Sequence, residues 1–183
     1  KHAKAAKEYF RNVIEQAHYL IGTGFIGTPA LLPALTKLGM HDVAEKVFLN
    51  RKVPGWLYQV EQGATTIWER WDALAPDGSI YDPDMHSYNH YAYGAVCQWL
   101  FENVAGVAPD PKMPGFDRVI IEPSFLKDLS PVSMWHQCRH GRIEAKWKIS
   151  DNMAKYQLTI PEGCTAVVPS SKTNRATHLN GKP

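Results

Sequence analysis

The chain has 183 residues, 44% of them hydrophobic and 21% charged, with a formal net charge of +2, which suits one ordinary globular domain or a domain with a small module. Its Lys and Arg residues are scattered, with no basic run to follow a phosphate backbone, so no nucleic-acid partner is expected; no apolar run reaches the ~18 residues of a membrane helix, so no membrane span is expected either. Cys97, Cys138 and Cys164 are far apart and form no CxxC pair, so neither a zinc site nor a full disulfide framework is expected; buried or partly buried free thiols are the default reading, and a single disulfide requires that folding bring two of them together.

The chain opens on Lys1, in what reads as the middle of a helix, and is expected to be the C-terminal piece of a longer protein. Ala3, Ala6, Phe10, Val13, Ile14, Ala17 and Leu20 or Ile21 recur at spacings of three and four, which predicts an amphipathic helix from Lys1 to Ile21, stopped by Gly22-Thr-Gly24. Thr28-Pro29 is a good start for a second helix, to about Leu38, with Gly39 ending it. A third is predicted over His41–Asn50, with Val43, Ala44, Val47 and Phe48 inward, and a short fourth over Trp56–Gln62, ended by Gly63. The Leu74–Ser87 stretch is rich in Pro, Gly and Asp and long for a connector, a common mark of a functional loop. Ser87 is a plausible N-cap for a helix over Tyr88–Val104, with Tyr88, Tyr91, Ala92, Ala95, Trp99 and Leu100 on its inner face and Gly106 closing it.

A Pro-rich linker is expected near 107–114, after which the period changes to two. Ile143, Ala145, Trp147 and Ile149 face one way, and Arg142, Glu144, Lys146 and Lys148 the other; Tyr156, Leu158 and Ile160 repeat the pattern. Shorter strands are predicted at Arg118–Ile121, Val132–His136 and Ala166–Val168, with turns at Ser150-Asp-Asn152 and Pro161-Glu-Gly163 that fit antiparallel hairpins. The fold class is therefore mixed, α then β: helical hairpins over 1–108, then a small antiparallel β module over 109–183.

Ala64-Thr-Thr-Ile-Trp-Glu-Arg-Trp-Asp72 is the stretch most suggestive of chemistry. It sets Glu69 between Trp68 and Trp71, with Arg70 and Asp72 beside it. Carboxylates are excluded from cores unless paired, and Trp is costly to expose. Indole faces beside an acid suit a sugar site; a Trp-rich packing corner with Arg70 paired to an acid is the plainer reading. His90, flanked by tyrosines at the predicted start of the last long helix, is the second candidate, as a donor to a sugar hydroxyl or as a packed, hydrogen-bonded ring. Asp82, Asp84, His86 and His90 look like a metal cluster, but the spacing fails the EF-hand loop, since Ser87 and Tyr93 stand where Gly and an acid are needed, and no HExxH occurs. Gly22-Thr-Gly-Phe-Ile-Gly27 follows a helix rather than a strand and so is not a dinucleotide loop. No Gly-x-Ser-x-Gly is present, and Cys97 sits mid-helix, which disfavours a nucleophile.

Taken in order, Gly22-Thr-Gly-Phe-Ile-Gly-Thr-Pro29 with Leu31-Leu-Pro33, Trp56-Leu-Tyr-Gln59, Gly63-Ala-Thr-Thr-Ile-Trp-Glu-Arg-Trp-Asp72, Asn89-His-Tyr-Ala-Tyr-Gly94, Pro114-Gly-Phe116 and Arg118-Val-Ile-Ile-Glu-Pro123 closely resemble the C-terminal end of the bacterial α-L-rhamnosidases, glycoside hydrolase family 78. The resemblance spans about residues 18–150. It implies the last helices of an (α/α)6 toroid followed by a β-sandwich. It also implies inverting hydrolysis of terminal α-L-rhamnosyl residues from a rhamnose-containing glycoside, with no metal or organic cofactor. On this resemblance Glu69 is the general base that activates water, His90 a ligand of rhamnose hydroxyls, and Trp68 and Trp71 substrate-side residues that shape the pocket or pack its wall. The family's general acid lies in an earlier segment absent from this sequence, so the chain alone is expected to be inactive. Half a toroid leaves a broad apolar face, so association with the remainder of the catalytic domain, or with another copy of the chain, is expected. Two other readings fit the residues: a non-catalytic carbohydrate-binding piece, and another inverting (α/α)6 hydrolase with a different sugar.

Overall fold

The computed structural model describes residues 2–84 and 87–169. The chain forms two compact units, Lys1–Trp99 and Leu100–Pro183.

The first unit is helical. Helix α1 spans His2–Gln16 and stops short of Ile21, because His18 and Tyr19 turn into the left-handed region at φ 53° and 61°. Ile14 reaches the core, while Phe10 and Val13 of the same apolar stripe stay exposed. Helix α2, Thr28–Lys37, starts one residue earlier than a Thr28 cap requires: Gly27 is the N-cap, and the Thr28 hydroxyl bonds instead to Thr23 O at 3.0 Å. Leu32 and Leu35 are its buried face. Helix α3, His41–Phe48, buries Val43, Ala44 and Val47 as its 3.6-residue period predicts. Helix α4 is Trp56–Glu61, and Gly63 follows with φ 81°.

The helix expected from Tyr88 begins only at Ala92, as a 3-10 turn over Ala92–Ala95 followed by α5, Val96–Trp99. The inner face shifts accordingly. Tyr91 is exposed and Tyr88 partly so, while Tyr93, Val96 and Trp99 are buried at the three-residue repeat of a 3-10 start. Tyr88–Tyr91 cannot be helical because backbone groups of residues 87, 88 and 90 bond to the 66–69 segment. An aromatic chain fills this unit's interior: Trp71 stacks on Tyr93, Trp56 meets Trp71 edge-on, and Phe48 touches both Trp56 and Trp99.

The second unit opens with a π-helical turn, Leu100–Val104. Gly106 then turns at φ 75°, where a Cβ would overlap the backbone of Pro123. One three-stranded sheet has the order β1 (Val107–Pro109), β2 (Arg118–Ile121), β6 (Thr165–Val167); β1 is antiparallel to β2, and β6 is parallel to it. Strand β1 thus occupies the segment expected to be a linker, with Val107 buried and Pro109 at the end of an edge strand, where a missing N–H is tolerated. The other sheet is an antiparallel meander of β3 (Val132–Cys138), β4 (Gly141–Ser150) and β5 (Met153–Thr159). Asp151 and Asn152, both at positive φ, make the two-residue turn between β4 and β5.

The inward residues are those that the alternation predicts. Ile143 and Ala145 cluster with Val107, Val119 and Ile121, flanked by Met134, Tyr156 and Leu158. The two sheets therefore enclose a common core. Buried Trp147 donates Nε1–H to Val104 O at 2.8 Å, and Tyr156 donates its hydroxyl to Ala105 O at 3.0 Å, so both chain carbonyls ahead of Gly106 are satisfied.

Candidate active site

Glu69 lies in the connection after α4, half-buried, on an irregular segment clipped to a second segment eighteen or more residues later. The Glu69 N–H donates to Ser87 O at 2.8 Å, and the His90 N–H donates to Ile67 O at 2.8 Å. The Thr66 hydroxyl donates to Tyr88 O. The Ser87 N–H donates back to Glu69 Oε2 at 2.7 Å. Four bonds therefore hold residues 66–69 against 87–90 and bring Glu69 and His90 onto one piece of structure.

His90 is fixed by its surroundings. Its ring stacks on Phe25 at 4.7 Å with an interplanar angle of 12°. The Ala92 N–H donates to His90 Nδ1 at 3.3 Å, so in this geometry Nδ1 is the acceptor nitrogen and Nε2 the one that carries hydrogen. Phe25 belongs to the Gly22–Gly27 loop, which the Thr23–Thr28 hydroxyl pair closes at 2.9 Å.

Trp68 and Trp71 are both buried, at 4% and 8% exposure. Trp68 meets Tyr88 edge-on at 5.6 Å, and Trp71 stacks on Tyr93 at 3.9 Å. The indoles on either side of Glu69 in the sequence are packed structure rather than an open platform. Burial pushes the Tyr93 phenol up, and the negative charge of Glu69 adds to this. Arg70 pairs with Asp72 at 3.3 Å and Asp82 at 3.8 Å, and its guanidinium lies over Tyr81 at 4.6 Å. The hydrogen bond to Asp72 is the main cause of the upward shift of Arg70, followed by the charges nearby. The packing corner and the chemical candidate thus coexist: the indoles pack and Arg70 is paired, while Glu69 remains partly accessible.

Helix α4 supplies the frame. Trp56 Nε1–H donates to Tyr93 O at 2.9 Å, Tyr58 OH to Leu74 O at 2.7 Å, and Gln59 Nε2–H to Arg70 O at 3.0 Å. Three residues of Trp56-Leu-Tyr-Gln59 thus each hold a different part of the Glu69 surroundings.

Ser87, Phe25 and Tyr93 are the site residues that pattern reading did not single out. The Ser87 hydroxyl does accept the Asn89 N–H at 3.0 Å, as an N-cap-like residue should, but it is the Ser87 backbone that reaches Glu69. For Phe25 the only signal was its place in the ordered Gly22–Pro29 motif. Of the four residues that resemble a metal cluster, His86 lies outside the described residues. Among the described residues no group of three or more His, Cys, Asp or Glu is placed to hold a metal ion.

The class of protein is defined by two family models that divide the chain between them. Residues 1–104 match the bacterial alpha-L-rhamnosidase 6 hairpin glycosidase domain, and residues 106–182 the bacterial alpha-L-rhamnosidase C-terminal domain. The alpha-L-rhamnosidase of Streptomyces avermitilis is 37% identical over 180 residues, covering 97% of this chain and 17% of that protein. One from Formosa agariphila is 32% identical over 184 residues, covering 97% of this chain and 20% of that protein. The crystal structure of the S. avermitilis enzyme complexed with L-rhamnose superposes with a TM-score of 0.83 at 38% identity, over 90% of this chain and 16% of that one. The native Aspergillus terreus enzyme gives a TM-score of 0.83 at 37% identity, over 90% of this chain and 19% of that one. The chain belongs to the bacterial α-L-rhamnosidase family, glycoside hydrolase family 78, and spans about a fifth of the length of the curated relatives it matches.

Proposed function

We propose that this chain carries the general-base half of the catalytic site of an inverting α-L-rhamnosidase acting on terminal α-L-rhamnosyl residues of glycosides or polysaccharides. The observation that carries the reading is the fixed Glu69 carboxylate. With Oε2 held by the Ser87 N–H, Oε1 is assigned to the attacking water. Glu69 takes a proton from that water as it adds to the anomeric carbon from the face opposite the leaving group. His90, with Nδ1 accepting from Ala92, presents Nε2–H to a rhamnose hydroxyl. Trp68 and Trp71 pack the wall behind the sugar. The L-rhamnose complex of the similar S. avermitilis enzyme supports the choice of sugar.

An inverting glycosidase needs a second carboxyl about 6.5–9.5 Å from the base, to protonate the leaving oxygen while water sits between them. That acid is assigned to a part of the parent protein outside these residues, within the same six-hairpin toroid. Water and two carboxyls suffice for the chemistry, so no metal or organic cofactor is invoked.

The test is Glu69→Gln in the full parent enzyme with an aryl α-L-rhamnoside. A loss of about 10²–10⁴-fold in kcat is expected of a general base, and a loss below about tenfold overturns the role. The 183-residue chain by itself is expected to give no turnover; hydrolysis by it would show that no outside acid is needed.

A further inference from the structure

We propose that Cys138 and Cys164 form a disulfide that ties the two sheets of the C-terminal domain together. Their Sγ atoms lie 3.9 Å apart. Cys138 ends β3, in the meander sheet, and Cys164 immediately precedes β6, in the other sheet. Both are half-buried, whereas Cys97 is exposed. Bringing the sulfurs to the ~2.05 Å of a disulfide needs a shift of about 1 Å on each side, within reach of a small side-chain rotation.

Asp117 is what sets the two thiols side by side. Its carboxylate binds the turn after Cys138, accepting from Arg139 Nε at 2.8 Å and pairing with His140 Nε2 at 2.8 Å. Its main-chain carbonyl accepts the Thr165 N–H, directly after Cys164, at 2.9 Å. One residue therefore anchors the flanks of both cysteines, and the pair is preorganised rather than incidental. The element that gains most is β6. It has three residues and, among the described residues, pairs with β2 alone, so a covalent link to β3 holds it in place.

The step balances with a disulfide oxidant such as oxidised glutathione. One cysteine thiolate attacks the oxidant and releases one thiol, giving a mixed disulfide. The second cysteine thiolate then displaces the other glutathione thiolate, which takes up a proton. Two protein thiols and one glutathione disulfide become one protein disulfide and two glutathione thiols.

The test uses the 183-residue chain with Cys97→Ser, so that of its three cysteines only this pair remains. It is equilibrated in glutathione redox buffer, once folded and once in urea. The expected product has lost two hydrogens, takes up no maleimide after unfolding, and yields a peptide joining Cys138 to Cys164. Its equilibrium constant with glutathione is expected to be about 10²-fold higher folded than unfolded, the scale for closing a loop of this length. A rise in Tm of about 10 °C over the reduced form is expected. Equal oxidation of folded and unfolded chain, two free thiols, or glutathione adducts on single cysteines would each overturn the proposal. Cys138→Ser and Cys164→Ser should each abolish the shift in Tm.

Discussion

Glu69 and Ser87, eighteen residues apart, hold each other by two hydrogen bonds: the Glu69 N–H to Ser87 O at 2.8 Å, and the Ser87 N–H to Glu69 Oε2 at 2.7 Å. One bond fixes the main chain under the carboxylate, and the other fixes the carboxylate itself. In the general-base role proposed for Glu69 both bonds would help, because orientation is established before the reaction begins.

The donor in this pair is a backbone group, so two substitutions at one position separate its effect from that of the hydroxyl. Ser87→Ala keeps the N–H and is expected to leave kcat of the parent enzyme within about threefold. Ser87→Pro removes the N–H. A hydrogen bond to a charged group contributes about 1.5–3 kcal/mol, so kcat should fall by about 10–100-fold. Rate measurements on an aryl rhamnoside, with circular dichroism to check folding, decide it. Equal behaviour of the two variants would remove the bond from the account.

Phe25 should matter through His90. The stacked pair, 4.7 Å between centroids, lies outside the Glu69–Ser87 clip and orients the imidazole. Aromatic pairs contribute about 0.5–1.5 kcal/mol beyond their buried area. Phe25→Ala is therefore expected to raise KM for the rhamnoside about 2–10-fold, with a smaller change in kcat. Phe25→Tyr, which keeps the ring, should restore it. A change in kcat alone would place Phe25 elsewhere in the mechanism.

Much of this arrangement could be read from residue order, and the exceptions share a cause. The β4 alternation and the buried face of α3 were legible because each side chain's fate follows from local period. Glu69 stands out in the sequence because a carboxylate between two indoles is hard to explain as core or as solvent loop. Tyr88–Tyr91 misled, since their tyrosine spacing is helical while neighbouring backbone groups are spent on residues 66–69. Ser87 carries no local sign of its partner. Strand β6 is three residues long and pairs in parallel with β2, which no hairpin turn announces. Long-range backbone pairing, not side-chain chemistry, is what escaped.

Gln59 gives a test of the frame independent of catalysis. It is 2% exposed, and its amide donates to Arg70 O at 3.0 Å. Gln59→Leu keeps the bulk but leaves that carbonyl without its donor, at a cost of about 1–3 kcal/mol. For a unit of this size the expected fall in Tm is about 5–15 °C, read by thermal denaturation. The same variant of the parent enzyme should lose activity, because Arg70 follows Glu69 directly. A stable variant with reduced kcat would mean that Gln59 positions the segment without stabilising the fold.

The acid limb of stability should trace partly to Asp110 in the second unit. Its carboxyl is held below the usual carboxylate range, first by the Lys112 N–H at 2.8 Å and then by Arg118 Nε at 2.6 Å. A depressed folded-state value means that the unfolded chain binds the proton more readily. The contribution is therefore fully present above the unfolded value of about 4, and is lost as pH falls through the lower folded value. Asp117 behaves alike, its carboxyl lowered chiefly by His140 and then by Arg139, with burial opposing. Asp110→Asn should lower Tm at pH 7 and flatten the dependence of Tm on pH below about 4. The difference in Tm between wild type and variant is the quantity to follow. It should shrink as the pH approaches 3, and a difference that stays constant from pH 7 to 3 would mean that Asp110 acts through packing rather than charge.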